Sequence, residues 1–422
     1  MFLYAMISFV TNLAAPIGVI WKNTFTGDSA NTVGMLGNAM NFLAYLFMGI
    51  PAGKMLTKIG YKKTALFGIG VGFVGVLVQF LSGTFGADAK VTGFIVYLLG
   101  AFIAGFSVCT LNTVVNPMLN LLGGGGNRGN QLNLIGGTLN SLAGTLTPLL
   151  VGALIGDATR PGLAISDVNL VLYIAMGVFA AAFVILSLIP IKDPEMGKTD
   201  ENTVFEHSPW SFRHFKLGVV AIFVYVGVEV GIPGTLNFYL SDTSAAGGGL
   251  NAATAAAIGG SVAATYWLLM LVGRFLAGFI ADKVSSKQLM TGTTLIGMIL
   301  ILLAMVLGKS SFVNMPVFTG SAFEMVNVPI AALLLVLCGL CTSIMWASIF
   351  NLSTEGLGKY SAQASGIFMM MVVGGGLWPL VQNFIADHTG YMTSYIVPLL
   401  AMAFMCWYAV FGSKNVNKDI PV

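Results

Sequence analysis

The sequence predicts an all-α membrane protein in which twelve transmembrane helices form two pseudo-symmetric six-helix bundles. Three observations support this: hydrophobic residues make up 56% of the chain and charged residues only 8%, apolar segments of helical length recur, and one loop pattern occurs twice. Soluble globular chains are about 25% charged. The composition is therefore typical of an integral membrane protein.

The lengths of the apolar segments indicate helices and not barrel strands. A spanning helix needs about 20 mostly apolar residues, whereas β-barrels show alternating segments of about 10. The first segment begins almost at Met1 without a basic region or a small-residue cleavage site, so we interpret it as a retained helix and not a signal peptide. The predicted spans cover residues 2–21, 32–53, 64–85, 93–119, 132–154, 168–190, 217–240, 256–281, 288–308, 329–352, 363–386 and 391–412.

The distribution of Lys and Arg predicts the orientation, because basic residues in short loops stay in the cytoplasm. Fifteen of the 19 lie on the side of both termini; Arg274 is among them because it lies near its predicted helix end. The other four are Lys22, Lys90, Arg160 and Lys309. We therefore expect both termini in the cytoplasm and a multi-pass protein of the bacterial inner membrane. The net charge of +3 then reflects topology and does not indicate a nucleic-acid partner.

Cysteines and histidines give no sign of a metal or redox centre. All four cysteines fall inside predicted spans, and the three histidines are scattered over loops. The segment GGGGNRG at 123–129 lacks the Lys-Ser/Thr ending of a phosphate-binding loop. We therefore predict no zinc, flavin or nucleotide, and no enzymatic activity.

The longest polar segment divides the chain into two halves. We predict an N-terminal six-helix bundle over residues 1–190, a cytoplasmic linker over 191–216, a C-terminal six-helix bundle over 217–413 and a cytoplasmic tail over 414–422.

A repeated loop pattern supports a duplication. The segments PAGKMLTKIGYKK at 51–63 and LAGFIADKVSSKQ at 276–288 align at an offset of 225 residues. Anchoring by positive charge alone accounts for the lysines but not for the repeated glycine and spacing. The second copy resembles the loop motif of the major facilitator superfamily, whereas Thr57 replaces the usual acidic residue in the first copy. The resemblance implies a role in conformational gating for Gly53, Lys58, Lys62, Gly278, Asp282, Lys283 and Lys287.

That resemblance also implies a fold and a mechanism. Two six-helix bundles would be related by an axis along the membrane normal, with substrate held between them near the midplane and exposed to each side in turn. GGG at 374–376, followed by Pro379, is a candidate for a broken helix.

Glu229 is the only acidic residue inside a predicted span, and no Lys or Arg lies between Lys216 and Arg274. We therefore expect this carboxylate to be solitary. Ionisable groups at such depth cost about 2.5–3.5 kcal/mol on insertion scales and usually face a cavity or a partner. Either Glu229 faces a central, hydrated crevice and exchanges a coupling ion, or it fastens its helix to a neighbour.

Asparagines inside the spans suggest an uncharged, hydroxyl-bearing ligand, because an amide both donates and accepts hydrogen bonds. Asn38 lies on one helix face with Asn41 and Tyr45, and Asn112 and Asn140 lie in other spans. A tryptophan such as Trp346 offers a flat apolar face to a sugar ring. The alternative for each residue is hydrogen bonding between helices.

Several stretches resemble the fucose:proton symporter family, which includes bacterial glucose/galactose transporters. They are IPAG at 50–53, LNTVVNPMLNLLG at 111–123, LNL and TLNS within 132–141, FVYVGVEV at 223–230 and MMMVVGGGLWP at 369–379. The resemblance implies substrate contacts for Asn38, Asn140 and Glu229, and we add Asn112 and Trp346 as candidate substrate contacts from their residue types and positions. The family's helix 1 aspartate and helix 4 glutamate are replaced by Ala15 and Asn112, which leaves Glu229 to couple an ion.

The sequence therefore predicts a monomeric secondary active transporter in the lipid bilayer. It would take up a neutral hexose such as glucose, galactose or fucose by alternating access, coupled to protons; sodium coupling and uncoupled transport are alternatives. A multidrug exporter and a non-transporting membrane sugar sensor are the other candidate functions.

Overall fold

The computed structural model describes residues 2–25, 29–85, 87–122, 126–155, 165–190, 206–280, 284–319, 322–417 and 419–420. Long helices dominate this part of the chain. They are α1 (Phe2–Thr24), α2 (Ala30–Ser82), α3 (Lys90–Leu122), α4 (Gly126–Ile155), α5 (Asn169–Leu188), α6 (Arg213–Ser241), α7 (Ala255–Ile280), α8 (Ser286–Leu307), α9 (Ile330–Thr342), α10 (Met345–Thr354), α11 (Ser361–Met370), α12 (Gly374–Thr389), α13 (Tyr391–Ser394) and α14 (Ile396–Trp407).

Within the described residues, eleven helical segments are long and apolar enough to cross a membrane. Helix α4 is outside that set and packs against α1 and α7. Together with α4, the eleven segments make up the twelve helices expected from the sequence. The prediction of an all-α membrane fold is confirmed.

The prediction of a loop over residues 54–63 is wrong, because helix α2 continues through most of this segment. Two spanning segments, Ala30–Leu56 and Lys58–Ser82, follow each other within α2. Only Gly60 leaves the helical conformation, with φ 81° and ψ 173°. A residue without a Cβ adopts such a positive φ at little cost, so one glycine turns the chain where a longer loop was expected.

A β-hairpin was missed in the region between α8 and α9. Strand β1 (Phe312–Phe318) pairs antiparallel with β2 (Phe323–Pro329), and Phe312 lies opposite Pro329. Met315 and Val317 are buried while Asn314 and Pro316 between them are exposed, which is the period-two alternation of a half-buried strand. That alternation was readable in the sequence.

Two of the predicted C-terminal spans are interrupted. The span at 329–352 divides into α9 and α10, and residues 371–373 form a 3-10 turn between α11 and α12. The GGG segment itself is helical: Gly374, with φ −52° and ψ −31°, begins α12. The irregularity expected at these glycines therefore lies directly before them.

The glycines of α12 allow this helix to approach both halves of the chain. A Cβ on Gly374 would lie 1.7 Å from the carbonyl oxygen of Phe223 in α6, and one on Gly376 would lie 2.8 Å from that of Ala39 in α2. Small residues at such crossings let helix backbones approach closely in membranes. Helix α12 thus connects α6 with α2, and α7 packs against α4, so both contacts join the predicted halves.

Candidate functional site

Glu229 lies near the middle of α6, and it is not solitary. Its Oε1 atom is 3.1 Å from Nη2 of Arg274 in α7, and both side chains are mostly buried, at 12% and 9% exposure. The expectation of a carboxylate without a counter-charge is therefore wrong. The adjacent helix supplies the partner: side chains lean towards the N-terminus of their own helix, so the long Arg274 side chain reaches back along α7 towards Glu229.

Arg274 uses its remaining donors to connect several helices. Nη1 donates to the carbonyl oxygen of Gly137 and to Oγ of Ser141, each at 2.8 Å, and both acceptors belong to α4. Nε donates at 3.3 Å to the carbonyl oxygen of Ser343, between α9 and α10. One guanidinium thus connects α4 of the N-terminal half with three segments of the C-terminal half, which are α6, α7 and the turn between α9 and α10.

The grouping of Arg274 with the loop charges is wrong, because Arg274 lies inside α7. The apolar residues FLAGFI follow it before α7 ends at Ile280, so the basic group belongs to the helix and not to the loop. This was the signal that could have identified Arg274. A polar group buried in a membrane protein needs a partner, and Glu229 provides one.

Tyrosine side chains surround the ion pair. Tyr225, one helical turn before Glu229, lies within hydrogen-bonding reach of its carboxylate and donates to the Thr342 carbonyl at 3.2 Å. The Tyr266 hydroxyl shares a 2.9 Å hydrogen bond with that of Thr342. Trp346, a predicted site residue, packs its ring 6.3 Å from that of Tyr225. These groups place an aromatic wall beside the carboxylate.

A chain of amides and hydroxyls runs through the first half of the bundle. Asn112 donates to the Tyr45 hydroxyl at 2.7 Å, and Asn116 donates to the Asn112 carbonyl at 2.9 Å. The Tyr4 hydroxyl donates to Oδ1 of Asn116 at 2.6 Å, and Asn140 approaches the Tyr4 carbonyl at 3.5 Å.

This series of hydrogen-bonded side chains approaches the ion pair at two points. Tyr45 is close enough to interact electrostatically with Glu229, and Tyr4 with Arg274. The predicted site residues Asn112 and Asn140 therefore lie in one polar region with the carboxylate.

Asn38 has a different environment from the other predicted ligand residues. It is 5% exposed, and its amide donates at 2.9 Å to the carbonyl oxygen of Gly375 in α12. In this conformation Asn38 joins α2 to α12, which is the helix-to-helix role considered as the alternative for each asparagine.

The predicted gating residues have varied surroundings. Lys62 donates to the carbonyl oxygens of Ser187 and Ile189 at the end of α5, both at 2.8 Å, a contact within the first half. Lys58 and Lys287 are exposed, and nothing lies within 4 Å of a Cβ placed on Gly53 or Gly278. Asp282 and Lys283 lie outside the described residues. The gating role stays a prediction.

A second polar cluster, missed from the sequence, joins the halves at the bundle end opposite the chain termini. Lys22 of α1 donates at 3.0 Å to the hydroxyl of Tyr391 and lies 5.0 Å from the ring centre of Phe238. The Tyr391 hydroxyl contacts Oδ2 of Asp242 at 2.9 Å and Oδ1 of Asn31 at 3.1 Å. We call these residues, with Thr32 and Asp387, the distal cluster.

The electrostatics of the distal cluster favour the ionised form of Asp242, which follows the last residue of α6. Burial alone would raise the pKa of this carboxyl. Hydrogen bonds from Ser244, the positive charge of Lys22 and the Tyr391 hydroxyl outweigh burial and lower it.

Among the described residues, no group of three His, Cys, Asp or Glu side chains could hold a metal ion. The four cysteines are free, and three of them are buried. The polar groups of the site are thus amides, hydroxyls and one ion pair.

Comparisons with known proteins place these features in a family context. Residues 1–379 match the family model of the Major Facilitator Superfamily. The chain is 28% identical over 419 residues to a glucose/galactose transporter of Brucella abortus, covering 98% of this chain and 93% of that protein. It is 23% identical over 409 residues to the L-fucose-proton symporter of Escherichia coli, covering 91% and 86%.

Solved structures show the same fold. FucP, a Major Facilitator Superfamily transporter in an outward conformation, superposes with a TM-score of 0.68 at 20% identity, covering 98% of each chain. A bacterial homologue of the human lysosomal transporter Spinster, inward-facing and occupied, gives 0.64 at 15% identity, covering 100% of this chain and 97% of that one.

Proposed function

This chain belongs to the Major Facilitator Superfamily, and we propose that it is a secondary active transporter that takes up a neutral monosaccharide by alternating access, driven by a proton gradient. A hexose such as glucose, galactose or fucose is the proposed substrate. Proteins that carry the names glucose/galactose transporter and L-fucose-proton symporter resemble the chain over nearly its whole length, which supports this proposal.

The observation that carries the proposal is the neutralised carboxylate beside a chain of amides. Glu229 is paired with Arg274, so the site has no free negative charge for a lipophilic cation. Asn112, Asn140 and the tyrosine hydroxyls can exchange hydrogen bonds with sugar hydroxyls, while Trp346 supplies an apolar face. These features favour a neutral, hydroxyl-rich solute over the cations of a multidrug exporter.

Proton coupling through Glu229 fits the ion pair better than sodium coupling. A sodium ion would have to bind next to the guanidinium of Arg274, which repels it. A proton instead forms a bond to the carboxylate and removes its charge without occupying further space. Glu229 is therefore the proposed proton acceptor, and Asn38, Asn112, Asn140 and Trp346 are proposed substrate contacts.

The proposed orientation places both termini in the cytoplasm of a bacterial cell. Without Arg274, which lies inside α7, the basic residues divide 14 against 4, and this division supports the topology. The distal cluster then faces the outside. We further propose a monomer, with bundles over residues 1–190 and 217–413 that move relative to each other around the site.

Counterflow in proteoliposomes tests the function. Vesicles loaded with unlabelled glucose, galactose, fucose or mannose are diluted into the corresponding labelled sugar, with and without a lipophilic cation as competitor. We expect labelled uptake for at least one hexose and no competition by the cation. Inhibition of labelled uptake by the cation would favour an exporter, and hexose binding without any labelled uptake would favour a sensor; either result would contradict the proposal.

A further inference from the structure

We propose that an apolar groove on the outer surface of the N-terminal half binds an anionic phospholipid, with an acyl chain in the groove and the headgroup phosphate at Lys63. The groove encloses about 500 Å³. It is separate from the proposed sugar site and does not depend on which solute is carried. The residues that line it include Leu66, Phe67, Gly70 and Val74 of α2, Ile103 of α3 and Phe183 of α5.

The shape of the groove depends on Gly70. Nothing lies within 4 Å of a Cβ placed on this glycine, while Phe67 and Val74, one turn to either side of it, are 45% and 47% exposed. Phe183 of α5 lines the groove from the neighbouring helix and is also exposed. All of the lining residues are apolar. A hydrocarbon chain is therefore the ligand that fits this part of the site.

The length of the groove matches one acyl chain of a single leaflet. Lys63 and Val74 are 11 residues apart on one helix, which corresponds to about 16 Å. Half of the hydrocarbon core of a bilayer is about 15 Å thick. The groove starts near the bundle end that carries the chain termini and extends to just past the middle of the spanning segment Lys58–Ser82. A lipid of the leaflet at that end can therefore place its headgroup at Lys63 and its chain along the groove.

Lys63 supplies the charge that selects the headgroup. It lies on the same face of α2 as Phe67, Gly70 and Val74, and it is exposed. In the part of the chain that the structure describes, Lys63 forms no ion pair. Because side chains lean towards the N-terminus of their helix, its ammonium group extends from the groove towards the headgroup region.

The preceding residue, Lys62, joins the two helices at the same end of the groove. Its ammonium group donates to the carbonyl oxygens of Ser187 and Ile189 at the end of α5, both at 2.8 Å. Lys62 is thus used within the protein, whereas Lys63 is available to a phosphate. An ammonium group attracts a lipid with a net negative charge more strongly than a zwitterionic lipid, which carries a positive group of its own.

The test measures lipid selectivity beside the groove. After the four native cysteines have been replaced, a bimane fluorophore is attached in Val184→Cys, because Val184 is exposed and adjoins Phe183 without lining the groove. The full-length protein is placed in phosphatidylcholine nanodiscs that contain increasing fractions of phosphatidylglycerol with brominated acyl chains, which quench a nearby fluorophore. The same label in Val306→Cys reports on lipid elsewhere, because Val306 of α8 is 80% exposed.

Two variants each remove one part of the proposed site. Lys63→Gln removes the charge, and Gly70→Leu fills the groove. The matched controls are Lys216→Gln, an exposed lysine of α6 at the same bundle end, and Gly152→Leu, an exposed glycine of α4 with nothing within 4 Å of a Cβ.

We expect the label at position 184 to report a preference of about fivefold for phosphatidylglycerol over phosphatidylcholine, the effect of one lysine near an anionic lipid. The label at position 306 should report no preference. The preference at position 184 should disappear in Lys63→Gln and in Gly70→Leu and persist in both controls. Equal quenching at the two label positions, or a preference that survives in either Lys63→Gln or Gly70→Leu, would overturn the proposal.

Discussion

The carboxylate of Asp387, at the end of α12, caps the first turn of α2 across the interface between the halves: its Oδ2 accepts hydrogen bonds from the backbone N–H of Thr32 at 3.0 Å and from the Thr32 hydroxyl at 2.5 Å. Oδ1 accepts from the N–H of Asn31 at 3.3 Å. Ser29, the N-cap residue of α2, makes no side-chain capping bond of its own. The free N–H groups of one half are thus satisfied by an acid of the other half.

This cap predicts that Asp387→Asn destabilises the closed distal end. The amide in Asp387→Asn lacks the negative charge and one of the two acceptor oxygens; a negative charge at a helix N-terminus contributes about 0.3–1 kcal/mol, and here the loss falls on a contact between the halves. We expect a lower midpoint of thermal unfolding in detergent and greater reactivity of a cysteine introduced at Asn31. Glu324→Gln, an exposed acid on β2, is the control and should leave both unchanged. Equal behaviour of the two variants would contradict the capping role.

Asp242, at the same end of the bundle, should contribute to the stability of the folded protein in a pH-dependent way. Folding lowers the pKa of its carboxyl, so the folded state favours the ionised form. This stabilisation is fully present above the unfolded-state pKa, about 3.9, and is lost as the pH falls through the lower folded-state value. Asp242→Asn should therefore unfold at a lower temperature than the parent protein at pH 7, and the difference should shrink below about pH 4. A difference that stays constant down to pH 3 would argue against this electrostatic origin.

Substitution of Gly374 should have a steric effect that substitution of Gly70 lacks. A Cβ at Gly374 would overlap the Phe223 carbonyl oxygen, a backbone atom that cannot rotate away, whereas nothing lies within 4 Å of a Cβ at Gly70. Gly374→Ala should destabilise the protein by about 1–3 kcal/mol. Gly70→Ala, also helical, should be neutral or stabilising by up to about 1 kcal/mol. Thermal unfolding of both variants in detergent checks this, and equal stability of the two would show that α6 and α12 do not pack as described.

Removal of the Asn112 amide should lower the affinity for the transported sugar. Its amide already bonds the Tyr45 hydroxyl at 2.7 Å, so it is held in position to accept or donate one bond to a sugar. Asn112→Ala should raise the half-saturation concentration for the transported hexose about tenfold, the effect of one hydrogen bond of about 1.4 kcal/mol. Initial rates of counterflow measure it. The control is Asn327→Ala on the hairpin, where the amide binds Asn314; an equal change in both would remove Asn112 from the substrate contacts.

Composition and hydropathy were sufficient to predict the all-α membrane fold, because a bilayer admits few spanning structures. The position of Glu229, the one acid inside a predicted span, was also readable from the sequence. Its pairing was not, because helix packing brings together side chains 45 positions apart and the sequence does not show which helices are neighbours. The distal cluster had no sequence signal either: Lys22, Asp242 and Asp387 each look like an ordinary loop charge until α1, α6 and α12 converge.

The most direct test of this account compares gradient-driven accumulation with counterflow in Glu229→Gln. An amide keeps the shape of the side chain but cannot take up a proton reversibly. In proteoliposomes with an imposed inward proton gradient, the parent protein should concentrate the labelled hexose, whereas Glu229→Gln should equilibrate it without accumulation and retain measurable counterflow. Accumulation by Glu229→Gln to the level of the parent protein would contradict the assignment of Glu229 as the residue that couples protons to transport.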